Sequence, residues 1–354
     1  MAKISKKTLI ISVVLILSIL IIVYALTAFI KPLKNENTSA LPKIKVGYKL
    51  TNLDSVPIIL AYEKGYFYEQ GIDVELVQVS GSDAPVAIVS GQVDIVISAA
   101  SRFYSPIEKG APVRIISPIS ATRVELLVQP DSNITSFKDL EGKKVSYGTG
   151  KGTNELLLRY ILAKENVDLK KVNFLELDNQ YLHTMLMEQK TLDAIFISDA
   201  GYVNAAEKLG AVIMPAWKDS KYEKESSTGI IIAANTDFLN NNEETVRSFF
   251  KGVIEADSYL KSNLDDSVII VTKFYRDNSN GAVDLKPEEL KSFIDQGKVS
   301  YYLWEDPSLI VGMAQISFEL NITKHPLTID ELYDLRFENM LKSAQNEIYN
   351  QKTN

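Results

Sequence analysis

The feature that most constrains this chain is a repeat whose landmarks recur about 99 residues apart. Val46-Gly-Tyr48 is echoed by Val145-Ser-Tyr147, and Val93-Asp94-Ile-Val-Ile-Ser98 by Leu192-Asp193-Ala-Ile-Phe-Ile-Ser198. Glu108-Lys109-Gly110 has a counterpart in Glu207-Lys208-Leu-Gly210. Around each landmark, short β-branched runs alternate with helical patterns, which predicts parallel sheets with crossover helices. In the first copy we expect strands at Ile44–Tyr48, Asp73–Val79 and Val93–Ile97, with a further strand from Val113. Ser55 and Pro57 suit a helix start that ends at Gly65; Asp83 suits the cap of a short helix stopped by Gly91, and another helix covers Ser101–Lys109. The second copy predicts strands at Val145–Tyr147, Val172–Leu177 and Leu192–Ser198, and helices at Thr153–Glu165 and Tyr181–Gln189.

Two similar α/β lobes leave a cleft, and open α/β sheets bind ligands beyond the carboxyl ends of their strands. The repeat therefore selects four loops: Lys49–Asp54, Ser98–Arg102, Gly148–Thr153 and Ser198–Tyr202. A chain of 354 residues is long enough for two such lobes.

The N-terminus carries the second signal. Lys3, Lys6 and Lys7 precede an uncharged stretch, Leu9 to Ile30, which Lys31 and Pro32 close. As a helix it spans about 33 Å, enough for a hydrocarbon core of about 30 Å. A cleavable signal has a shorter apolar region, so an uncleaved anchor is expected, with cleavage near Ala25–Ala28 as the alternative. The lysine cluster puts the N-terminus on the cytoplasmic side. This divides the chain into a cytoplasmic end at 1–8, a transmembrane helix at 9–30, a polar tether at 31–42 and a module outside the cytoplasm. Setting aside the five lysines and one glutamate before residue 40 leaves 33 basic and 44 acidic groups, a net charge of −11. That balance argues against a nucleic-acid partner.

With no cysteine, the chain cannot form disulfides, thiolate metal sites or thiol nucleophiles. His183 and His325 lack ligand spacing, and we expect each on a helix surface or in a loop. No metal, cofactor or catalytic group is expected. Among the loops, Gly148-Thr-Gly-Lys-Gly-Thr153 lets backbone N–H groups approach an anion at a helix start, or is a plain strand–helix turn. Tyr48 and Tyr147, related by the repeat, form either an aromatic clamp across the mouth or ordinary strand-end packing. Thr51, Asn52 and Asp54 sit in the first loop; Ser98, Ser101 and Arg102 follow the third strand. Arg102 either pairs with an anionic solute or starts a helix in solvent, and Arg123 near the crossover has the same standing. Arg102, Arg123 and Lys151 favour an anion; Asp54, Asp83 and Asp199 favour an amine or a neutral heterocycle. Thr328-Ile-Asp-Glu331 reads as a capping box.

Several stretches together resemble the solute-binding proteins of nitrate, sulfonate and taurine ABC importers, a group that includes binders of thiamine-pyrimidine precursors. They are Ile44-Lys-Val-Gly-Tyr48, Ala61-Tyr-Glu-Lys-Gly-Tyr-Phe67, Gln70-Gly-Ile-Asp-Val-Glu-Leu76, Ser90-Gly-Gln-Val-Asp-Ile95, Asp139-Leu-Glu-Gly-Lys-Lys-Val145 and Leu332-Tyr-Asp-Leu-Arg-Phe337. The resemblance covers residues 43–345. It implies an α/β, type II periplasmic-binding-protein fold: two lobes, a hinge and a ligand cleft, with residues 43–125 plus 229–354 in one lobe and 126–228 in the other. It implies a non-catalytic receptor that closes on a small solute and delivers it to an ABC permease and ATPase. By position it adds Gly150, Thr153 and Asn154 as ligand hydrogen-bonding residues, and Asp199 and Tyr202 as an acidic and an aromatic contact; Asp199 also suits a helix cap. The Ser-Ala-Ala-Ser-Arg loop at Arg102 matches no substrate pattern. Binding of a pyrimidine precursor, a sensory ectodomain, and a pyrimidine-synthase-like enzyme are the alternatives. The last is disfavoured because the resemblance implies a cysteine-rich, iron-binding segment that a chain without cysteine lacks.

Overall fold

A computed structural model describes residues 40–353, apart from 51–52, 149, 151, 178–179, 199, 223–226, 281–282, 284, 302 and 304–306. The apolar stretch 9–30 lies outside these, and among the described residues no helix is long and apolar enough to cross a membrane.

The strands are β1 (Lys43–Tyr48), β2 (Asp73–Gln78), β3 (Ile95–Ala99), β4 (Val113–Arg123), β5 (Glu125–Val128), β6 (Lys144–Ser146), β7 (Asn173–Leu175), β8 (Ala194–Ile197), β9 (Val212–Ile213), β10 (Ser227–Asn235) and β11 (Val299–Tyr301). They form a six-stranded sheet, β11-β4-β10-β3-β1-β2, and a five-stranded sheet, β7-β6-β8-β5-β9. The two share one plan. β1 pairs parallel with β2 and β3, as β6 does with β7 and β8. An antiparallel strand then follows in each, β10 against β3 and β5 against β8. β4 runs into β5 through a single residue, the fully buried Val124, so the chain passes from one sheet to the other in extended backbone. β10 brings it back.

The repeated Asp explains the sequence echo. Asp94 Oδ2 accepts from the Lys45 amide at 2.8 Å while the Asp94 amide donates to the Lys45 carbonyl at 2.9 Å. Asp193 and Lys144 make the same two bonds, at 2.8 and 3.0 Å. Each Asp thus fixes how β3 or β8 enters beside the first strand of its lobe. β3 begins two residues later than expected because the Val93 amide is committed to the Ala87 carbonyl, at the end of the preceding helix. Ser55 and Asp83 precede helices but form no side-chain cap; the Asp83 carboxylate instead accepts from Ser80 Oγ at 2.7 Å. The Thr328–Glu331 capping box is present.

One core lies between the six-stranded sheet and the helices Val56–Glu63, Glu243–Ser262 and Leu264–Asn278, where Phe67 and Phe249 stack at 5.3 Å. A second core runs continuously from the other face of that sheet into the five-stranded lobe. The Ser308–Glu319 helix contributes Ile310 and Met313 to it, and Glu319 pairs with Lys164 of the Thr153–Lys164 helix at 3.0 Å. Gly229 in β10 leaves room for Ile310, whose side chain occupies the place a Cβ would take.

The repeat also makes a stability prediction. The two residues after Val89, at the end of the Ala84–Val89 helix, are Ser90 and Gly91, and Gly91 has φ +73. At the equivalent place after Gln180–Glu188 stands Lys190, with φ 54. A side chain is disfavoured in the left-handed region, and the Lys190–Asp131 pair is highly exposed on both sides, hence weak. Lys190→Gly should therefore stabilise the protein by about 0.5–1 kcal/mol in urea denaturation. A loss of stability would contradict the equivalence.

Candidate functional site

The carboxyl ends of the strands from both sheets face a cleft. Lys49, Asp54, Ser98 and Arg102 line it from the first lobe, and Tyr147, Gly148, Thr153, Asn154 and Ser198 from the second. It encloses about 100 Å³.

Two helices begin at its walls, Ser101–Glu108 and Thr153–Lys164. A helix start carries a partial positive charge, so each wall has one. The walls touch. Ser101 Oγ lies 3.2 Å from Thr153 Oγ1, and Arg102 Nη1 donates to the Gly150 carbonyl at 3.0 Å. The arrangement needs a bare backbone at Gly81, where a Cβ would lie 3.1 Å from the Arg102 guanidinium carbon. Arg102 therefore points inward; it does not start a helix in solvent.

The glycine loop is held from its own side as well. The Gly150 amide donates to Glu176 Oε1 at 2.7 Å, and a Cβ at Gly150 would fall 2.5 Å from Glu176 Oε2. Gly148 takes φ +84, which suits glycine. Beside it, Asn154 Oδ1 is buried and has no hydrogen-bond partner among the described residues. Asp54 accepts from Ser120 Oγ at 3.3 Å.

Of the two readings of Tyr48 and Tyr147, the aromatic clamp is not formed. Tyr48 is 3% exposed in the first core, its ring 6.1 Å from Phe274, and burial pushes its phenol pKa up. Tyr147 does line the cleft, backed edge-on by Phe174 at 6.2 Å; burial, with the Glu155 charge, raises its pKa. Tyr48 ends the strand pointing into the helix layer, so strand-end packing holds for it.

Asp54, Ser98, Arg102, Tyr147, Thr153 and Asn154 are thus brought together as wall residues, with Ser101 and Gly150 bonded across the gap. Thr51, Asn52 and Asp199 lie outside the described residues, as does the side chain of Tyr202. Lys49, Ser55, Gly81 and Ser198 join the walls; the loop choice pointed to Lys49 and Ser198. Glu176 was not foreseen, since nothing local marks a residue that acts on a loop 26 positions earlier. Among the described residues, no three His, Asp or Glu side chains converge as metal ligands.

His183 is a correction: it is 2% exposed, not on a surface. Nε2 lies 2.9 Å from the Leu177 carbonyl, which can only accept, so Nε2 carries the proton. Nδ1 then accepts from Ser146 Oγ at 2.8 Å. Ser146 directly precedes Tyr147, so His183 props the strand end that carries the cleft residue. Burial, opposed by the Leu177 bond and aided by the Lys49 charge, lowers its pKa below 6.5.

Residues 52–266 match the family model described as NMT1/THI5 like. A "Putative thiamine biosynthesis protein" of Haemophilus influenzae is 25% identical over 250 residues, 69% of this chain and 74% of its own length. The Saccharomyces cerevisiae protein named 4-amino-5-hydroxymethyl-2-methylpyrimidine phosphate synthase THI11 is 29% identical over 220 residues, 58% of this chain, which spans 63% of that protein's length. The structure of the periplasmic aliphatic sulphonate binding protein SsuA from Escherichia coli superposes with a TM-score of 0.65 at 17% identity, over 84% of this chain and 99% of that one. The fold is that of the periplasmic binding proteins.

Because His183 is held neutral, its contribution to stability is present above pH 6.5 and is lost as pH falls through and below that value. Unfolding midpoints in urea should drop between about pH 7 and pH 5, and His183→Gln should flatten that slope. Equal slopes in the two proteins would remove His183 from the account.

Proposed function

For this chain, which belongs to the NMT1/THI5-like family, we propose the role of a non-catalytic solute receptor working outside the cytoplasm. It captures one small polar molecule between its lobes and presents it to an ABC permease and its ATPase. The apolar stretch Leu9 to Ile30 serves as its membrane anchor.

The observation that carries this reading is the pair of bonds across the cleft, Ser101 to Thr153 and Arg102 to Gly150. They join loops of two lobes that are also linked by extended strands and by a shared apolar core; hinge closure draws such loops together. A solute that contacts both walls favours the closed form by its differential affinity for it. The cleft, of about 100 Å³, suits a small solute; simple sulfonates, amino acids and single-ring pyrimidines are the candidates. Asn154 Oδ1 calls for a donor on the solute, and the two helix starts call for an acceptor.

The synthase name of the yeast relatives makes turnover the competing reading. The lack of cysteine in this chain supports capture without chemistry, given the cysteine-rich segment that the resemblance implies for such enzymes.

A thermal-shift panel of anions, sulfonates, amino acids and pyrimidines on residues 40–354 tests it. At 100 times its dissociation constant a true solute stabilises by about 2.7 kcal/mol. Asn154→Leu should weaken that solute at least about tenfold, because a buried hydrogen bond to it is lost. A panel without a single shift, or one whose hit is chemically converted on incubation, would overturn the receptor reading.

A further inference from the structure

We infer that the helix Ser308–Glu319 is a brace between the lobes: it belongs to the first lobe, reaches the second, and favours the form in which the cleft walls meet. This goes beyond the receptor reading and rests on it only for the movement of the lobes.

The chain on both sides of the helix is fastened to the first lobe. Ahead of it, β11 pairs antiparallel with β4, Val299 opposite Thr122 and Tyr301 opposite Ser120. Behind it, the His325 amide donates to the Glu108 carboxylate at 3.3 Å, at the end of the helix Ser101–Glu108, and the Asp334 amide donates to the Ile115 carbonyl of β4 at 2.9 Å. The helix is also seated at its own start. Tyr104 Oη donates to the Ile310 carbonyl at 2.8 Å. The Ile310 side chain rests on Gly229 of β10, so close that a Cβ there would lie 2.1 Å from its Cδ1. The Gly229 carbonyl in turn accepts from the Ala100 amide at 3.0 Å, one residue before Ser101. These contacts join the brace to the strand that returns between the lobes and to the wall that carries Ser101 and Arg102.

Its far end reaches the helix of the other wall. Glu319 Oε2 lies 3.0 Å from Lys164 Nζ, and each is the last residue of its helix. Thr153, which meets Ser101 at 3.2 Å, is the first residue of the helix that Lys164 ends. Ile310, Met313 and Ala314 share one buried core with Leu157, Ile161 and Leu162 of that helix. The ion pair stands about 13 Å along the brace from Ile310, so a rotation at β10 displaces the pair more than it displaces Ile310. The pair is also easily given up, because its side chains are 49% and 36% exposed and such pairs are weak. The buried seat of Ile310 costs far more to expose. The brace thus stays with the first lobe, and its pair with Lys164 adds a small bias toward the joined walls. A solute completes the shift by its differential affinity.

Double electron–electron resonance tests this on the full-length protein without solute. Labels at Val86→Cys and Met185→Cys, both exposed, read the share of molecules at the separation found in this structure. Lys164→Glu sets two carboxylates against each other, and circular dichroism checks that each variant is folded. The expected result is a fall of about threefold in the ratio of joined to parted molecules, with recovery in Lys164→Glu/Glu319→Lys. Gly229→Val takes the seat of Ile310 and should lower the ratio at least about tenfold, with recovery in Gly229→Val/Ile310→Ala. A folded Lys164→Glu with the wild-type ratio overturns the brace, and so does a charge-exchanged variant that stays at the value of Lys164→Glu. A solute panel without a hit would count against the receptor reading and leave this comparison intact, because no solute enters it.

Discussion

Neither sheet of this protein is complete without a stretch of chain that belongs, in sequence, to the other side. β5 follows β4 after one buried residue yet sits inside the five-stranded sheet, between β8 and β9. β10 arrives only after that sheet has been built and fills the gap between β3 and β4. The two lobes are therefore tied by extended strands at fixed places and share a continuous apolar core. The space between them lies at the carboxyl ends of β1, β3, β6 and β8. Trp217 marks the return path: fully buried, it packs edge-on against Phe196 at 5.2 Å and donates to Glu125 at the start of β5, at 3.0 Å.

What the cleft recognises follows from which polar groups are already paired. Backbone N–H groups at a helix start attract anions in general, but a group that is already bonded offers little. Gly150 is such a case, held through both its amide and its carbonyl. Asn154 is the opposite case, a buried acceptor with no donor among the described residues. The likeness to known structures thus sets the fold, and the pairing of individual atoms bears on the chemistry.

Much of this was legible in the sequence because it repeats. The 99-residue spacing located four loops, and each of the four contributes residues to the cleft or its bridging bonds. Asp94 and Asp193 stood out for a reason the structure supplies, the paired bonds to Lys45 and Lys144. Tyr48 was misjudged because equivalence in sequence does not carry over to the helices packed behind each sheet, and Phe274 belongs to a segment that only one lobe has. His183 was misjudged because two partners, Ser146 and the Leu177 carbonyl, satisfy it from outside its own helix. Glu176 reaches Gly150 only once β6 and β7 are paired, so no local pattern announces it.

The central claim is that the lobes move against each other around a solute. A chain without cysteine accepts two labels cleanly, and Val86 and Met185, exposed at places 99 residues apart, put one on each lobe. Double electron–electron resonance on Val86→Cys/Met185→Cys, with and without a saturating solute from the thermal-shift panel, reads the separation directly. The account predicts a broad distribution that narrows to one distance when the solute binds. An identical distribution in both samples, with calorimetry showing the site filled, would contradict it.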